Sequence, residues 1–171
     1  LIVNPEFQRF YVWESKPEIK SRLIESVLLN IPIPIVYTSE VEEGREEVID
    51  GQQRLTTLSL FLVAIRNYIA SDKEKDKKKQ QLQKHKEMVD ELKSLLFFST
   101  AFSDESKIKL VFSKNNLSDV YKRLVRGDEI DNNKLDESQQ RFSRNLHYIS
   151  QLLREYLKEE EIKGRSIKTA I

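Results

Sequence analysis

Asp50-Gly51-Gln52-Gln53-Arg54 places a carboxylate, a glycine, two amides and a guanidinium within five consecutive residues. Those residue types, so close together, suit the chemistry of phosphate groups. Leu55, Leu58, Leu62, Ile65 and Ile69 follow at helical spacing, and a strand-like run ends on Ile49, so the cluster is predicted at a strand-to-helix turn. The first N–H groups of a helix have no acceptor within it, and the aligned peptide dipoles favour an anion at that end. Gly51 permits positive φ and close approach of a backbone or a phosphate, and Asp50 is a candidate cap. Arg54 adds a cationic fork for phosphate oxygens, while Gln52 and Gln53 offer amides to hold a ligand or orient a water. The simpler alternative is a capped helix whose Arg54 pairs with a neighbouring carboxylate.

Other chemistries are poorly supplied. The 171 residues contain no cysteine, which excludes disulfides, thiolate metal sites and cysteine catalysis and fits a reducing compartment. The four glycines form no Walker-type loop, and neither His85 nor His147 stands in metal-ligand spacing, so no metal-binding residue set and no histidine-metal nuclease is expected. Glu42-Glu43 and Glu46-Glu47 flank a hairpin, where exposed carboxylates are ordinary. Asp50 is the exception, because beside a phosphate site it can help hold a magnesium ion through water. Lys+Arg 29 against Asp+Glu 28 leaves a net charge of +1, so any DNA contact must come from a local patch. No apolar run approaches the roughly 20 residues of a membrane span and no signal peptide is visible, which reads as cytoplasmic. Numbering that starts at Leu1 without methionine predicts a fragment of a longer protein.

The elements that must position the cluster follow from periodicity and punctuation. Leu1 to Val3 and Phe7 to Trp13 predict an extended, partly strand-like segment. Lys16 to Asn30 predicts a helix opening near Pro17, with Ile19, Leu23, Val27 and Leu28 on its apolar face. Ile31 to Tyr37, with two prolines, suits a strand entered through a rigid turn, and Gly44 suits a hairpin whose second strand, Arg45 to Ile49, delivers Asp50. The first seventy residues thus read β-α-β-β-α. From Ser71 the composition changes to mixed charge, then a long helix carrying Leu82, Met88 or Val89, Leu92, Leu95 and Leu96. Its lysines, Lys77, Lys78, Lys79, Lys84 and Lys86, read as a solvated face more readily than as a DNA patch, and His85 as exposed. Ser99 to Ser106 reads as loop, Ile108 to Phe112 as a short strand or connector, Asn116 to Gly127 as a capped helix, and Ser138 to Glu161 as the last helix. The fold class is therefore α+β: an α/β unit over 1–70 and a helical extension over 71–171 packed on it in one compact domain.

Three blocks carry a family resemblance. Phe7-Gln8-Arg9-Phe10-Tyr11-Val12-Trp13, Leu23 to Pro34, and Asp50-Gly51-Gln52-Gln53-Arg54-Leu55-Thr56-Thr57-Leu58 stand in order and at spacing similar to the N-terminal domain of GmrSD-type modification-dependent restriction enzymes, found also in SspE-like phage-defence proteins. The resemblance covers residues 4 to 70. The element order with a Gly-x-x-Arg turn is similar to the ParB/sulfiredoxin-like fold; Gln52 stands where the redox enzyme needs cysteine, which removes that chemistry. What the resemblance implies is a nucleotide-binding, NTP-hydrolysing regulatory domain of a prokaryotic restriction system. It implies an NTP with Mg2+ bound at Gly51, Gln52, Gln53, Arg54, Thr56 and Thr57 and closed over by Gln8 and Arg9. Arg54 would neutralise charge, Gln52 or Gln53 place the attacking water, and Asp50 support a metal or the turn. The partners implied are modified DNA and an HNH-type nuclease domain outside this sequence, with assembly into a homo-oligomer open. The alternative is a DNA-binding specificity module without catalysis.

Overall fold

Pairing begins at the very start of the chain. In the computed structural model, which describes residues 1–3, 12–71, 79–100, 103–113, 115–128 and 130–162, strand β1 (Ile2–Val3) lies between two later strands. It pairs in parallel with β3 (Arg45–Asp50), Ile2 opposite Glu47, and in parallel with β6 (Val111–Phe112), Val3 opposite Phe112. β2 (Tyr37–Glu42) adds to β3 as an antiparallel hairpin, giving the sheet order β2-β3-β1-β6. Parallel neighbours require crossovers, and helices supply them here. α1 (Pro17–Leu28) follows a 3-10 turn at Val12–Ser15, α2 (Gln52–Ser71) follows β3, and α3 (Lys79–Leu96) follows α2. A second hairpin, β4 (Phe97–Thr100) with β5 (Ser103–Ile108), then leads to β6, α4 (Asn115–Arg126) and α5 (Glu137–Ile162).

The expected α+β class and the β-α-β-β-α order of the first part are both observed. Three elements differ from expectation. Residues 31–36 join no strand ladder, and the strand starts only at Tyr37, because Pro32 and Pro34 have no N–H to give a ladder. Ser103 to Ser106, expected in a loop, forms the hairpin strand β5 opposite β4, so the second part is not purely helical. Polar Ser and Thr residues fit a two-stranded edge as well as a loop, and only pairing decides between them. Val12 and Trp13 sit in the 3-10 turn rather than in a strand, and Phe7 to Tyr11 lie outside the described residues.

α2 organises the interior. The expected apolar stripe of Leu55, Leu58 and Leu62 is only half-buried, whereas Thr56, Thr57, Ser59, Leu60, Phe61, Val63, Ala64, Ile65, Arg66 and Ile69 are buried. A helix buried round most of its circumference is a central helix, and α2 touches α1, α3, α4 and α5. Val3, Val48 and Phe112 of the sheet join the same core as Leu60, Val63 and Ile65. Ile149, Leu153 and Leu157 of α5 and Leu117, Val120, Leu124 and Val125 of α4 belong to that core too, buried as their spacing predicts. Phe112, Tyr121 and Phe142 close the junction, with ring centroids 5.0 and 4.9 Å apart in edge-to-face geometry. Burial pushes the Tyr121 hydroxyl up to about 12, against a smaller opposing effect of its hydrogen bond with Ser59.

The remaining helix assignments differ in their faces. α1 buries Lys20, Leu23 and Ile24 and leaves Val27 exposed, because Lys20 turns toward α5: its Nζ donates to Asn145 Oδ1 at 2.6 Å and lies 4.5 Å from the centre of the Tyr148 ring. α5 starts on a reciprocal cap that periodicity alone did not reveal. The Gln139 N–H donates to Asp136 Oδ1 at 2.9 Å, and the Asp136 N–H donates to Gln139 Oε1 at 2.9 Å. α4 ends at Gly127, whose φ of +87° lets its N–H reach the Arg123 and Leu124 carbonyls.

Candidate functional site

The turn from β3 into α2 is held by its own residues. Gly51 has φ of +100°, a conformation glycine adopts without a steric cost, and its carbonyl accepts the Leu55 N–H at 2.9 Å to open the helix. There is also no room for a side chain: a Cβ at residue 51 would lie 2.8 Å from Val36 Cγ2 and 3.1 Å from Arg54 Nη2. The segment 31–36 therefore does more than connect. It walls the turn with Val36 and supplies the Ile35 carbonyl, which accepts from Arg54 Nη2 at 2.9 Å. Sequence reasoning missed both groups, although the two prolines that forbid a ladder were the available signal.

The structure brings together Asp50, Gly51, Gln52, Gln53 and Arg54 and gives them unequal positions. The Arg54 guanidinium spans from Ile35 O to Asp50 Oδ2, the latter at 2.7 Å, one helical turn apart in sequence. The Arg54 side chain is 16% exposed and that of Asp50 61%, so the carboxylate faces solvent while the cation is drawn in. Arg54 Nε is buried with no hydrogen-bond partner. An unmatched donor on a charged group costs free energy, and this one belongs to the residue expected to meet phosphate. The pairing of Arg54 with a nearby carboxylate, offered above as the simpler reading, is thus present in the protein.

The amides separate. Gln52 is buried, and its Nε2 donates to Val48 O at 3.1 Å, tying the helix back to the strand that delivers it. Gln53 is half-buried and lies nearer to solvent. Thr57 is buried and donates to Gln53 O at 2.8 Å; Thr56 is buried, and its carbonyl accepts from Ser59 Oγ at 2.9 Å. Both threonines therefore support the first turns of α2 from within. Gln8 and Arg9 lie outside the described residues, as do Lys77 and Lys78. Lys86 is exposed, as is His147. Among the described residues no group of three or more His, Asp or Glu side chains converges to hold a metal, and no helix is long and apolar enough to cross a membrane.

The family model of the GmrSD restriction endonuclease, N-terminal domain, matches residues 1–169. The chain belongs to that family. The match extends the resemblance, carried above by residues 4 to 70, over the helical part as well. No curated protein matches the sequence. As a GmrSD N-terminal domain the protein is part of a restriction system, with DNA as the substrate of that system and a nuclease domain as its partner. The shared core explains how the match runs through the whole chain: β6, from the second half, supplies an edge of the sheet that the first half begins.

Proposed function

We propose that this GmrSD N-terminal domain binds a nucleoside triphosphate with Mg2+ at the β3–α2 turn and hydrolyses it to regulate the nuclease partner of the restriction system. The observation that supports this most is Arg54: a cation largely withdrawn from solvent, paired with one exposed carboxylate, with a buried Nε lacking any partner. An arginine so held is ready to exchange a carboxylate for a phosphate, since both accept the same planar fork. Gly51 keeps the turn open at its backbone, and the α2 N-terminus adds the favourable end of a helix dipole. Arg54 then neutralises phosphate charge, and Gln53, the more accessible of the two amides, orients the attacking water. Gln52 fixes the turn through Val48 O, and Thr56 and Thr57 keep the helix start rigid. Asp50, the exposed carboxylate of the turn, would hold magnesium through water, and the ion would supply charge neutralisation at the phosphates. Gln8 and Arg9 are carried into this reading from the family resemblance alone, as further nucleotide ligands.

Thermal unfolding with ATP, GTP, CTP and UTP plus magnesium, compared with Arg54→Ala, tests the reading. A nucleotide at about a hundred times its dissociation constant adds about 2.7 kcal/mol, which for a domain of this size raises Tm by roughly 5–10 °C. A shift that Arg54→Ala removes supports the site and names the base, and hydrolysis is then measured with modified DNA present. No shift with any nucleotide at millimolar concentration replaces this reading with that of a DNA-binding specificity module, whose affinity falls steeply with salt and needs no nucleotide.

A further inference from the structure

Of the nine large apolar side chains exposed among the described residues, four gather at one hairpin. Ile35 (71%), Tyr37 (60%), Val41 (49%) and Ile49 (52%) all lie on the β2–β3 hairpin or immediately before it. β2 is an edge strand of the sheet, and all six of its residues are exposed. An exposed edge presents a row of backbone donors and acceptors, and clustered exposed apolar residues mark an interaction surface. The charge on the same hairpin selects the partner. Glu40, Glu42, Glu43, Glu46, Glu47 and Asp50 face Arg45 as the hairpin's only basic residue, and Arg45 is bonded to Glu42 at 2.9 Å. Glu40 stands directly opposite Glu46 across the two strands. Like charges directly opposite destabilise a strand pair, so the hairpin carries an arrangement unfavourable to its own folding.

We infer that the β2 edge is a docking surface for a basic protein segment, and that its occupant is the nuclease partner of the restriction system, because a domain that acts on DNA needs lysine and arginine to meet its phosphates. Carboxylates set along an exposed strand beside apolar side chains offer such a surface the charge that DNA otherwise offers it. A second copy of this chain is the poorer occupant, because pairing β2 with another β2 brings carboxylates onto carboxylates. The register shifts between Tyr37 and Thr38 and between Glu40 and Glu42 further blunt the edge against self-pairing. The inference rests on family membership and on the hairpin, and not on nucleotide binding, so either can fail alone.

Hydrogen exchange across residues 37–42, measured in the complete restriction enzyme and in this chain alone, tests it. The edge amides should exchange at least about tenfold more slowly in the complete enzyme at low salt, and lose that protection as salt is raised. The triple variant Glu40→Lys, Glu42→Lys, Glu46→Lys should abolish the protection. The triple Glu→Gln variant, which keeps size and removes charge, should reduce it while leaving Tm of this chain unchanged or higher. Equal exchange in both proteins overturns the inference. Protection that appears in the chain alone and grows with its concentration also overturns it, in favour of a second copy. Protection untouched by either triple variant removes the charge argument and the proposed occupant with it.

Discussion

α2 carries two arginines, twelve residues apart, whose surroundings are opposites. Arg54, at the start, is held by one exposed carboxylate and one carbonyl, and its Nε lies buried without a partner. Arg66, at the far end, is buried and donates to the Val125 and Leu124 carbonyls in the last turn of α4 and to Asn67 Oδ1. The Val125 carbonyl is one that a helix leaves unpaired at its C-terminus, where its dipole also favours a cation, while the Leu124 carbonyl also accepts from the Gly127 N–H. Burial pulls the Arg66 guanidinium below the ordinary arginine range, yet its carbonyl partners accept from the charged form. Arg66 is thus a structural cap between α2 and α4, with its donors shared between buried backbone carbonyls and the neighbouring Asn67 side chain. Arg54 keeps a partner that can be traded. The residue type is the same at both ends; what differs is whether a helix-end carbonyl or an exposed, exchangeable carboxylate meets the guanidinium.

Arg66→Ala gives the largest expected effect, because it removes a cap of α4 and leaves the Val125 carbonyl unmatched. Stability should fall by about 3–4 kcal/mol, or roughly 6–15 °C in Tm, while a nucleotide-induced shift keeps its size. If Arg66→Ala instead removed the nucleotide shift, the contrast between the two arginines would fail. The buried end has a second signature in alkali. The unfolded chain releases a tyrosine proton near pH 10, whereas Tyr121 in the folded protein holds its proton to about 12. Between those values the folded state binds more protons, so stability is intact below pH 10 and falls by about 2–3 kcal/mol as pH rises to 12. Urea melts across that window should show this loss in the parent protein and a shallower one in Tyr121→Phe.

At the exposed end, Gly51→Ala forces an L-residue to φ of +100° against Val36, and should cost about 2 kcal/mol and weaken nucleotide binding together. Arg54→Ala should change stability by less than about 1 kcal/mol, since an ion pair with a solvent-exposed carboxylate contributes little. Its consequence falls on the ligand-dependent Tm, which separates it from Arg66→Ala in a single experiment. Asp50→Asn sharpens the same end further: stability should stay within about 1 kcal/mol, and the nucleotide shift should lose its dependence on magnesium. Persistence of that dependence would take Asp50 out of the metal's surroundings.

The strand-to-helix turn at Asp50-Gly51 was legible because its causes are local: a hairpin glycine, a strand, a turn glycine and a helical period follow within thirty residues. α4 and α5 were legible for the same reason, since Tyr121, Ile149 and Leu153 recur at the spacing of a helix face. The burial of α2 on nearly all sides was not, because Thr56, Thr57 and Ser59 are polar by type and are buried only because α1, α3, α4 and α5 close around them. Nor was the wall of the candidate site, since the Ile35 carbonyl reaches Arg54 across nineteen positions of sequence, and a backbone carbonyl leaves no mark in a list of side chains.

The sequence by itself determined the family, the α+β class and the identity of the groups gathered at the turn, because motif, period and turn chemistry act over short range. Tertiary structure alone decided their inequality: Gln52 buried onto Val48 O, Gln53 nearer to solvent, Arg54 drawn inward and Asp50 left outside. It also decided that β6 completes the sheet and that β2 is left at its edge. Those outcomes depend on which distant segments meet, and the free energy that chooses among meetings is summed over the whole core rather than written at any one position.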